Sequence, residues 1–343
     1  MKAMILKRTS LFRENSHPLE MADVPDPSPA DGEILIRVSA CGVCHTELDE
    51  IEGRTPPPQF PVIPGHQVVG RVAAVGNHVT AHKAGDRVGV GWIHSTCGRC
   101  PFCAEGRENL CPDFKATGRD RNGGYGEYMT LPEGSAYPIP AVFSDAEAAP
   151  LLCAGAIGYR SLRLAGIRNG QPLGLTGFGA SAHLVLKMAR RLYPQTDIFV
   201  FARSEKERSF ALDLGAVWAG GTEDSPPEKL QAVIDTTPVW KPVVAAMRSL
   251  KSGGRLVINA IRKEDADREA LLGLDYASDL WLEKEIKSVA NVTRSDIREC
   301  LKLAADIPVR PQIQTFPLAE ANRALAELKS GQIRGAKVLT LSG

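Results

Sequence analysis

Four cysteines lie close together in the segment CGRCPFCAEGRENLC, at Cys97, Cys100, Cys103 and Cys111. Four thiolates at this C-x2-C-x2-C-x7-C spacing are typical of a closed tetrahedral zinc site, in which no coordination position stays open for catalysis. A disulfide pair, a redox switch and a nucleic-acid-binding zinc ribbon are the alternatives. In an intracellular chain the spacing favours a structural zinc ion over these alternatives.

The composition bears on these alternatives. The 343 residues carry 41 basic and 40 acidic side chains, which gives a net charge of +1. This balance offers no electrostatic basis for binding nucleic acid or an anionic membrane, so neither partner is expected. No segment reaches the roughly 18 apolar residues of a membrane span, and the N-terminus lacks the apolar core of a signal peptide. We therefore expect a cytoplasmic protein, in which structural disulfides are rare.

A glycine-rich segment predicts a dinucleotide site. The run PLGLT reads as a strand, leads into GFGASA and is followed by the helix-like HLVLKMARRL. In this G-x-G-x-x-A pattern Gly177 allows the tight turn, Gly179 lets the backbone approach a pyrophosphate, and Ala182 permits close helix–sheet packing. Ala180 opens the helix, whose N-terminal N–H groups would face the anion. A glycine-rich turn without a ligand is the alternative.

The next strand, DIFVFA, should end at the residue that meets the adenosine ribose. An acidic residue there would select NAD, but the position holds Ala202, followed by Arg203 and Ser204. Since no carboxylate repels a 2′-phosphate and Arg203 can pair with one, NADP(H) is favoured over NAD(H). The alternative is that these charges belong to an ordinary solvated helix start. Further cofactor contacts are expected at Lys206, Arg208 and Ala260.

The motifs lie in regions that differ in their predicted secondary structure. Residues 1–153 contain short apolar or alternating runs between Gly, Pro and Asp turns, which predicts a β-rich domain. Over 154–291 strands alternate with helices, which predicts a parallel sheet with right-handed crossovers. A helix with Ser144 as its N-cap is predicted over 144–166. The segment 292–343 is expected to return to the first domain, so the fold class is α/β.

Several motifs follow one another along essentially the whole chain: GVCHTEL, PGHQVVGRVAAVG, AGDRV, the four-cysteine loop, GGYGEY, APLLCAGA and GFGASAH. In this order they resemble the zinc-dependent alcohol dehydrogenases of the medium-chain dehydrogenase/reductase superfamily. The resemblance implies a GroES-like catalytic domain, with its structural zinc loop at 97–111, and a doubly wound Rossmann cofactor domain. It also implies an active site between the domains, a homodimer or homotetramer, and a small alcohol or aldehyde as substrate.

The resemblance further assigns a catalytic zinc ion to Cys44, His66 and Cys153, which spacing alone could not bring together. One histidine and two thiolates leave a fourth position open. There a metal acts as a Lewis acid on the substrate oxygen while hydride passes between carbon and nicotinamide. Two zinc ions per chain are therefore expected. Thr46 matches the hydroxyl that passes on the substrate proton, and His45 matches a residue beside the cofactor pyrophosphate; without the resemblance they read as a helix cap and a surface histidine.

Three residues depart from the family pattern. Gln67 stands where many relatives carry Glu, Glu47 where Asp is usual, and Asp49 where many have a relay histidine. The neutral Gln67 cannot supply an alternative anionic ligand, and the longer Glu47 must shift a contact to the metal site. Asp49 either carries protons or leaves the relay to water. Thr46, Glu47 and Asp49 are therefore the catalytic candidates.

The substrate class is only partly encoded in single residues. Polyol-specific relatives use Glu where this chain has Cys153, so a primary alcohol or aldehyde is expected. Small-alcohol relatives carry Trp near the position of Thr55, which predicts a roomier pocket for medium-chain or aromatic substrates. Trp92 and Ile93 match pocket walls, although both also read as core residues. The alternative functions are a quinone or enoyl reductase of the same superfamily and a zinc-containing dinucleotide sensor without turnover.

Overall fold

Residues 1–156 together with 292–343 form one structural unit, and residues 157–291 form another. The computed structural model describes residues 1–13, 16–307, 309–331 and 335–341. The domain boundary predicted after residue 153 stays a prediction. Among the helices in these ranges, none is long and apolar enough to cross a membrane.

The strands are mostly short runs rich in β-branched and other apolar residues, which suit a pleated and half-buried surface. They are β1 Lys2–Leu6, β2 Leu19–Asp23, β3 Glu33–Val43, β4 Gln67–Val75, β5 Arg87–Val90, β6 Ile93–Ser95, β7 Lys115–Ala116, β8 Tyr128–Pro132, β9 Ala136–Pro138, β10 Leu173–Thr176, β11 Ile198–Phe201, β12 Trp218–Gly220, β13 Leu230–Asp235, β14 Leu250–Ile258, β15 Glu285–Ser288, β16 Ile313–Pro317 and β17 Ala336–Thr340.

The α-helices alternate with these strands most regularly in the second unit. They are α1 His45–Ile51, α2 Pro101–Ala104, α3 Asp145–Ala148, α4 Ala154–Ala165, α5 Ala180–Leu192, α6 Glu205–Asp213, α7 Lys241–Ser249, α8 Arg294–Asp306 and α9 Ala321–Lys329. Short 3-10 or π-helical turns lie at Glu108–Leu110, Glu133–Ser135, Ala149–Leu152, Arg268–Gly273, Tyr276–Leu280 and Leu318–Glu320.

The largest sheet of the first unit is built around β3. Its strands follow the order β16-β17-β3-β4-β5-β9, and β8 also pairs with β3. Along β3 the side chains of Ile34, Ile36 and Val38 point inward at every second position, as the pleat of a strand requires. They share one apolar core with Tyr125 and Phe316. The predicted β-rich domain is confirmed.

The helix predicted over 144–166 is wrong as a single element. Ser144 does cap α3, because its side chain accepts a hydrogen bond from the Glu147 N–H at 3.2 Å. The chain then passes through the 3-10 turn 149–152, in which Pro150 has no N–H to continue an α-helix. Cys153, at φ −131° and ψ −76°, separates this turn from α4. The break therefore places a predicted zinc ligand at a bend between helical segments.

The second unit is a parallel sheet whose connections contain helices. Its strand order is β12-β11-β10-β13-β14-β15, and all neighbours run parallel. Counted along the chain from β10, this is the 3-2-1-4-5-6 order of dinucleotide-binding folds. Ligands of such sheets bind at the carboxyl ends of the strands. The predicted Rossmann fold is confirmed.

Candidate active site and metal centres

The four-cysteine loop gathers its sulfur atoms into one cluster. All four lie within 4.8 Å of one another, with Sγ–Sγ distances of 3.6 Å for Cys97–Cys111 and 4.0 Å for Cys97–Cys103. A disulfide needs about 2.05 Å, whereas sulfurs around one zinc ion at about 2.3 Å lie about 3.8 Å apart. Backbone N–H groups of Arg99 and Cys100 lower the pKa of Cys97 to about 6. This favours the thiolate form that a metal requires.

A second donor cluster is formed by Cys44, His66 and Cys153. Their ligand atoms lie within 4.8 Å of one another, although three separate segments supply them. Cys44 directly precedes α1, His66 directly precedes β4, and Cys153 lies at the bend before α4. Three protein donors leave the fourth tetrahedral position open, which is the arrangement of a catalytic zinc site.

Glu47 holds two of these donors in place. Its carboxylate has no exposed surface; Oε1 lies 2.7 Å from His66 Nδ1, and Oε2 accepts a hydrogen bond from the Cys44 backbone N–H at 2.8 Å. Because Glu47 occupies Nδ1, the ring can offer Nε2 to a metal ion. A carboxylate that fixes the tautomer and orientation of a ligand histidine in this way is a recurrent feature of zinc sites.

The charges within the trio favour a bound cation. The Cys153 thiol donates to Cys44 Sγ and His66 lies beside it, so the pKa of Cys44 is held well below its usual range despite burial. Burial opposes protonation of His66, but Glu47 and Cys44 raise the pKa of the imidazole well above its usual range. The negative charge around His66 therefore favours a cation at this cluster, which a divalent metal ion would supply.

Trp92 and Thr46 border the trio. The Trp92 ring meets the His66 imidazole edge to face, with ring centroids 5.0 Å apart. Thr46 Oγ1 lies 3.5 Å from Cys44 Sγ, so a hydroxyl stands beside a metal donor. Of the other two predicted pocket residues, Ile93 is wholly buried in β6, and Thr55 is only partly buried. Trp92 thus has the most direct contact with the candidate centre.

The three residues that depart from the family pattern are all buried. Asp49 is paired with Arg54, whose Nε donates to Asp49 Oδ1 at 2.6 Å. Gln67 packs against β3 so tightly that a Cβ added at Gly42 would lie 2.6 Å from its Oε1. Among the neighbouring candidates only His45, the first residue of α1, is exposed. The Asp49 carboxylate is therefore engaged by a guanidinium.

Glu50 is a buried acid that the sequence reasoning missed. Its side chain is 1% exposed, and neither carboxyl oxygen has a hydrogen-bond partner among the described residues. Burial raises the pKa of Glu50 well above its usual range, and the nearby Glu47 carboxylate adds to this effect. Glu50 follows Glu47 by one helical turn in α1, so the i, i+3 spacing of two acids was the available signal.

The glycine-rich segment forms the turn between β10 and α5. Gly177 has φ +76°, a conformation that favours glycine, and its N–H donates to the Phe201 carbonyl at 2.8 Å. Gly179 is the N-cap of α5, and a Cβ added there would meet nothing within 4 Å. Ala180 begins the helix and Ala182 is wholly buried. The open backbone at a helix N-terminus can receive a phosphate.

The residues expected at the adenosine ribose lie between β11 and α6. Ala202 is buried, while Arg203 and Lys206 are exposed. Ser204 caps α6 and exchanges hydrogen bonds with Glu207. Arg208 Nη1 donates at 3.0 Å to the carbonyl oxygens of both Ala202 and Arg203.

Arg208 therefore stabilises the segment between β11 and α6 through hydrogen bonds to backbone carbonyls. Of the predicted cluster, Arg203 and Lys206 are exposed, whereas Arg208 is only partly exposed. The remaining predicted cofactor residue, Ala260, follows the carboxyl end of β14 and is partly exposed.

This chain is similar to known proteins over nearly its whole length. The family described as "Alcohol dehydrogenase GroES-like domain" matches residues 30–141, and the family described as "Zinc-binding dehydrogenase" matches residues 213–339. The "Probable alcohol dehydrogenase AdhA" of Mycobacterium tuberculosis is 43% identical over 329 residues, covering 94% of this chain and 93% of that protein. The chain belongs to the zinc-type alcohol dehydrogenases.

Two further similarities extend over nearly the full length of this alcohol dehydrogenase. An "Alcohol dehydrogenase" of Geobacillus stearothermophilus is 33% identical, covering 97% of this chain and 99% of that protein. The solved structure of a cinnamyl alcohol dehydrogenase from Sorghum bicolor superposes with a TM-score of 0.84 at 27% identity, over 99% of this chain and 97% of that chain. As a family member the protein is an oxidoreductase that uses zinc and a nicotinamide cofactor, which confirms the predicted family and reaction class.

Removing the charge of Glu47 should weaken zinc binding at the cluster of Cys44, His66 and Cys153. We expect Glu47→Gln to weaken that zinc affinity about tenfold or more, because the neutral amide makes His66 a poorer ligand. Competition with a chromogenic chelator measures the affinity. Glu147→Gln is the matched control, since Glu147 likewise accepts a backbone N–H at a helix start, at 2.8 Å from Ser144. Unchanged zinc affinity in Glu47→Gln would contradict the role given to Glu47.

Proposed function

We propose that this protein is a zinc- and NADP(H)-dependent alcohol dehydrogenase or aldehyde reductase that acts on primary alcohols and aldehydes, with medium-chain or aromatic side groups. The observation that carries the proposal is the three-donor cluster of Cys44, His66 and Cys153, buttressed by Glu47 and open at a fourth position. The closed four-cysteine loop is proposed to hold a second, structural zinc ion. The chain would then bind two zinc ions.

When bound, the catalytic zinc supplies Lewis-acid polarisation of the substrate oxygen, and the nicotinamide supplies or accepts the hydride. The protein's own residues position these groups. Glu47 keeps His66 Nδ1 engaged, so that the imidazole is held in one orientation. The Thr46 hydroxyl, beside Cys44 Sγ, is placed to accept the proton that leaves an alcohol.

The onward proton route is proposed to pass from Thr46 to water rather than through Asp49. Asp49 is paired with Arg54 at 2.6 Å, and its side chain is 4% exposed. The Arg54 guanidinium therefore occupies one carboxylate oxygen of Asp49. Asp49 would then serve chiefly to fix the end of α1.

The preference for NADP(H) is proposed to depend on Arg203, with help from Lys206. Both side chains are exposed next to the buried Ala202, where an acidic residue would have repelled a 2′-phosphate. Arg208 is engaged by two backbone carbonyls, so we assign it to shaping the loop rather than to binding phosphate.

The substrate class is supported by one structural relative and by the pocket residues. The similar Sorghum bicolor protein is described as a cinnamyl alcohol dehydrogenase, which acts on an aromatic alcohol. In this chain Trp92 offers an aromatic surface beside His66, and Thr55 leaves more room than the Trp of small-alcohol relatives. We propose that Trp92, Ile93 and Thr55 together select apolar substrates larger than ethanol.

We also propose that the chain forms a homodimer or homotetramer in the cytoplasm through the edge strand β15. β15 is the last strand of its sheet, and unpaired edge strands are prone to association. Ile286 within it is 44% exposed, and Trp281 just before it is 55% exposed. Sedimentation velocity should give two or four chain masses; a single-chain mass at micromolar concentration would contradict the proposal.

Initial rates with NADPH and NADH over one panel of aldehydes test the catalytic proposal. We expect turnover of medium-chain and aromatic aldehydes, with kcat/KM at least tenfold higher for NADPH than for NADH. Arg203→Ala should lower the NADPH value about tenfold and leave the NADH value within about twofold, because a charge-assisted phosphate contact is worth roughly 1.4 kcal/mol or more. Glu205→Ala on the adjacent helix turn is the control. Equal loss with both cofactors would contradict the assignment of Arg203.

A further inference from the structure

A buried lysine–aspartate pair lies at the carboxyl edge of the parallel sheet. Asp235 is the last residue of β13 and has no exposed surface, and the Lys263 side chain is 8% exposed. Lys263 Nζ forms an ion pair with Asp235 Oδ2. It also donates to the carbonyl oxygens of Thr237 at 2.8 Å and Val239 at 2.9 Å. All three ammonium hydrogens therefore have acceptors.

The other oxygen of Asp235 connects this pair to the neighbouring strand. Asp235 Oδ1 accepts a hydrogen bond from Thr176 Oγ1 at 2.6 Å, and Thr176 is the last residue of β10. The same oxygen accepts from Thr237 Oγ1 at 2.8 Å. One carboxylate thus joins the ends of β10 and β13, and Lys263 joins both to the segment that follows β14.

These contacts determine the surroundings of the first glycine in the phosphate turn. Thr236 Oγ1 donates to the Thr176 carbonyl at 2.9 Å, directly before Gly177. A Cβ added at Gly177 would lie 2.8 Å from Thr236 Oγ1. Any movement of residues 236–237 would therefore be transmitted to the turn at Gly177. Lys263, which binds the Thr237 carbonyl, restrains that movement.

The pair is not explained by stability alone. Burying two charges has a desolvation cost that their attraction often only balances, so an apolar pair can be equally stable. A hydrogen-bonded ion pair does hold its neighbours in one defined geometry. This pair lies at the carboxyl ends of the strands, where dinucleotides bind in such sheets. The Trp240 ring adds a contact, with Lys263 Nζ 5.9 Å from its centroid.

We propose that Lys263 is a positioning residue for the nicotinamide cofactor. Through Asp235 and the carbonyls of Thr237 and Val239, it fixes the loop after β13 against the phosphate turn at Gly177. Lys263 does not need to touch the dinucleotide, since it acts through these backbone segments. The proposal rests on the proposed cofactor-binding function of this unit.

Substitution of Lys263 by a neutral side chain of similar length tests the proposal. In Lys263→Met we expect the Kd for NADPH, measured by quenching of tryptophan fluorescence, to rise at least tenfold. The KM for NADPH should rise in parallel while kcat changes less than about threefold, and zinc content should be unchanged. Arg248→Met is the matched control, because Arg248 pairs with the equally buried Asp279 at 3.6 Å but lies at the far end of α7.

A double variant separates positioning from folding. Lys263→Met leaves Asp235 as a buried unpaired charge, whereas adding Asp235→Asn removes that charge and keeps an acceptor for Thr176. We expect the double variant to regain thermal stability but to keep the weakened NADPH binding. Recovery of both properties together, or wild-type NADPH affinity in Lys263→Met, would overturn the proposal. If the wild-type protein bound neither NADPH nor NADH, the proposed function itself would fail instead.

Discussion

The candidate catalytic centre depends on one buried carboxylate. Glu47 accepts a hydrogen bond from the backbone of Cys44 with one oxygen and contacts His66 Nδ1 with the other. Cys44 follows β3 and His66 precedes β4, two paired strands in which Gly42 lies opposite Gln67, and Glu47 adds a side-chain link between the two donors. The geometry leaves Nε2 of His66 for the metal. Without Glu47, the His66 ring would lose the carboxylate that fixes its tautomer and orientation.

The third donor is placed by a local break in helical structure. Pro150 and the non-helical backbone of Cys153 interrupt what would otherwise be one long helix. In an uninterrupted helix, the regular helical geometry would set the direction of the Cys153 side chain. At the bend, its sulfur instead joins Cys44 and His66. In the four-cysteine loop the donors are positioned differently. Backbone N–H groups stabilise the Cys97 thiolate, and the four sulfurs would fill all four coordination positions of a zinc ion.

Much of the fold could be predicted from the sequence, because short apolar runs between turn residues and the strand–helix alternation after residue 171 are local signals. The same holds for the four-cysteine loop, whose ligands are neighbours in sequence. The trio could be assembled only from the family resemblance, since no local pattern joins Cys44, His66 and Cys153. The expected cofactor contact at Arg208 stays a prediction, and no local pattern could show that its guanidinium donates to the carbonyls of Ala202 and Arg203. Glu50 and Lys263 were missed because their burial results from tertiary packing, which composition and spacing do not encode.

Zinc content per chain tests the central claim most directly. We predict two zinc ions in the wild-type protein and one in Cys153→Ala, which should retain the structural zinc and lose aldehyde turnover. Cys103→Ser should also hold one, with a lowered thermal midpoint, because the loop site loses a ligand. A single zinc ion in the wild-type protein, or two in Cys153→Ala, would contradict the assignment of Cys44, His66 and Cys153 as a catalytic zinc site.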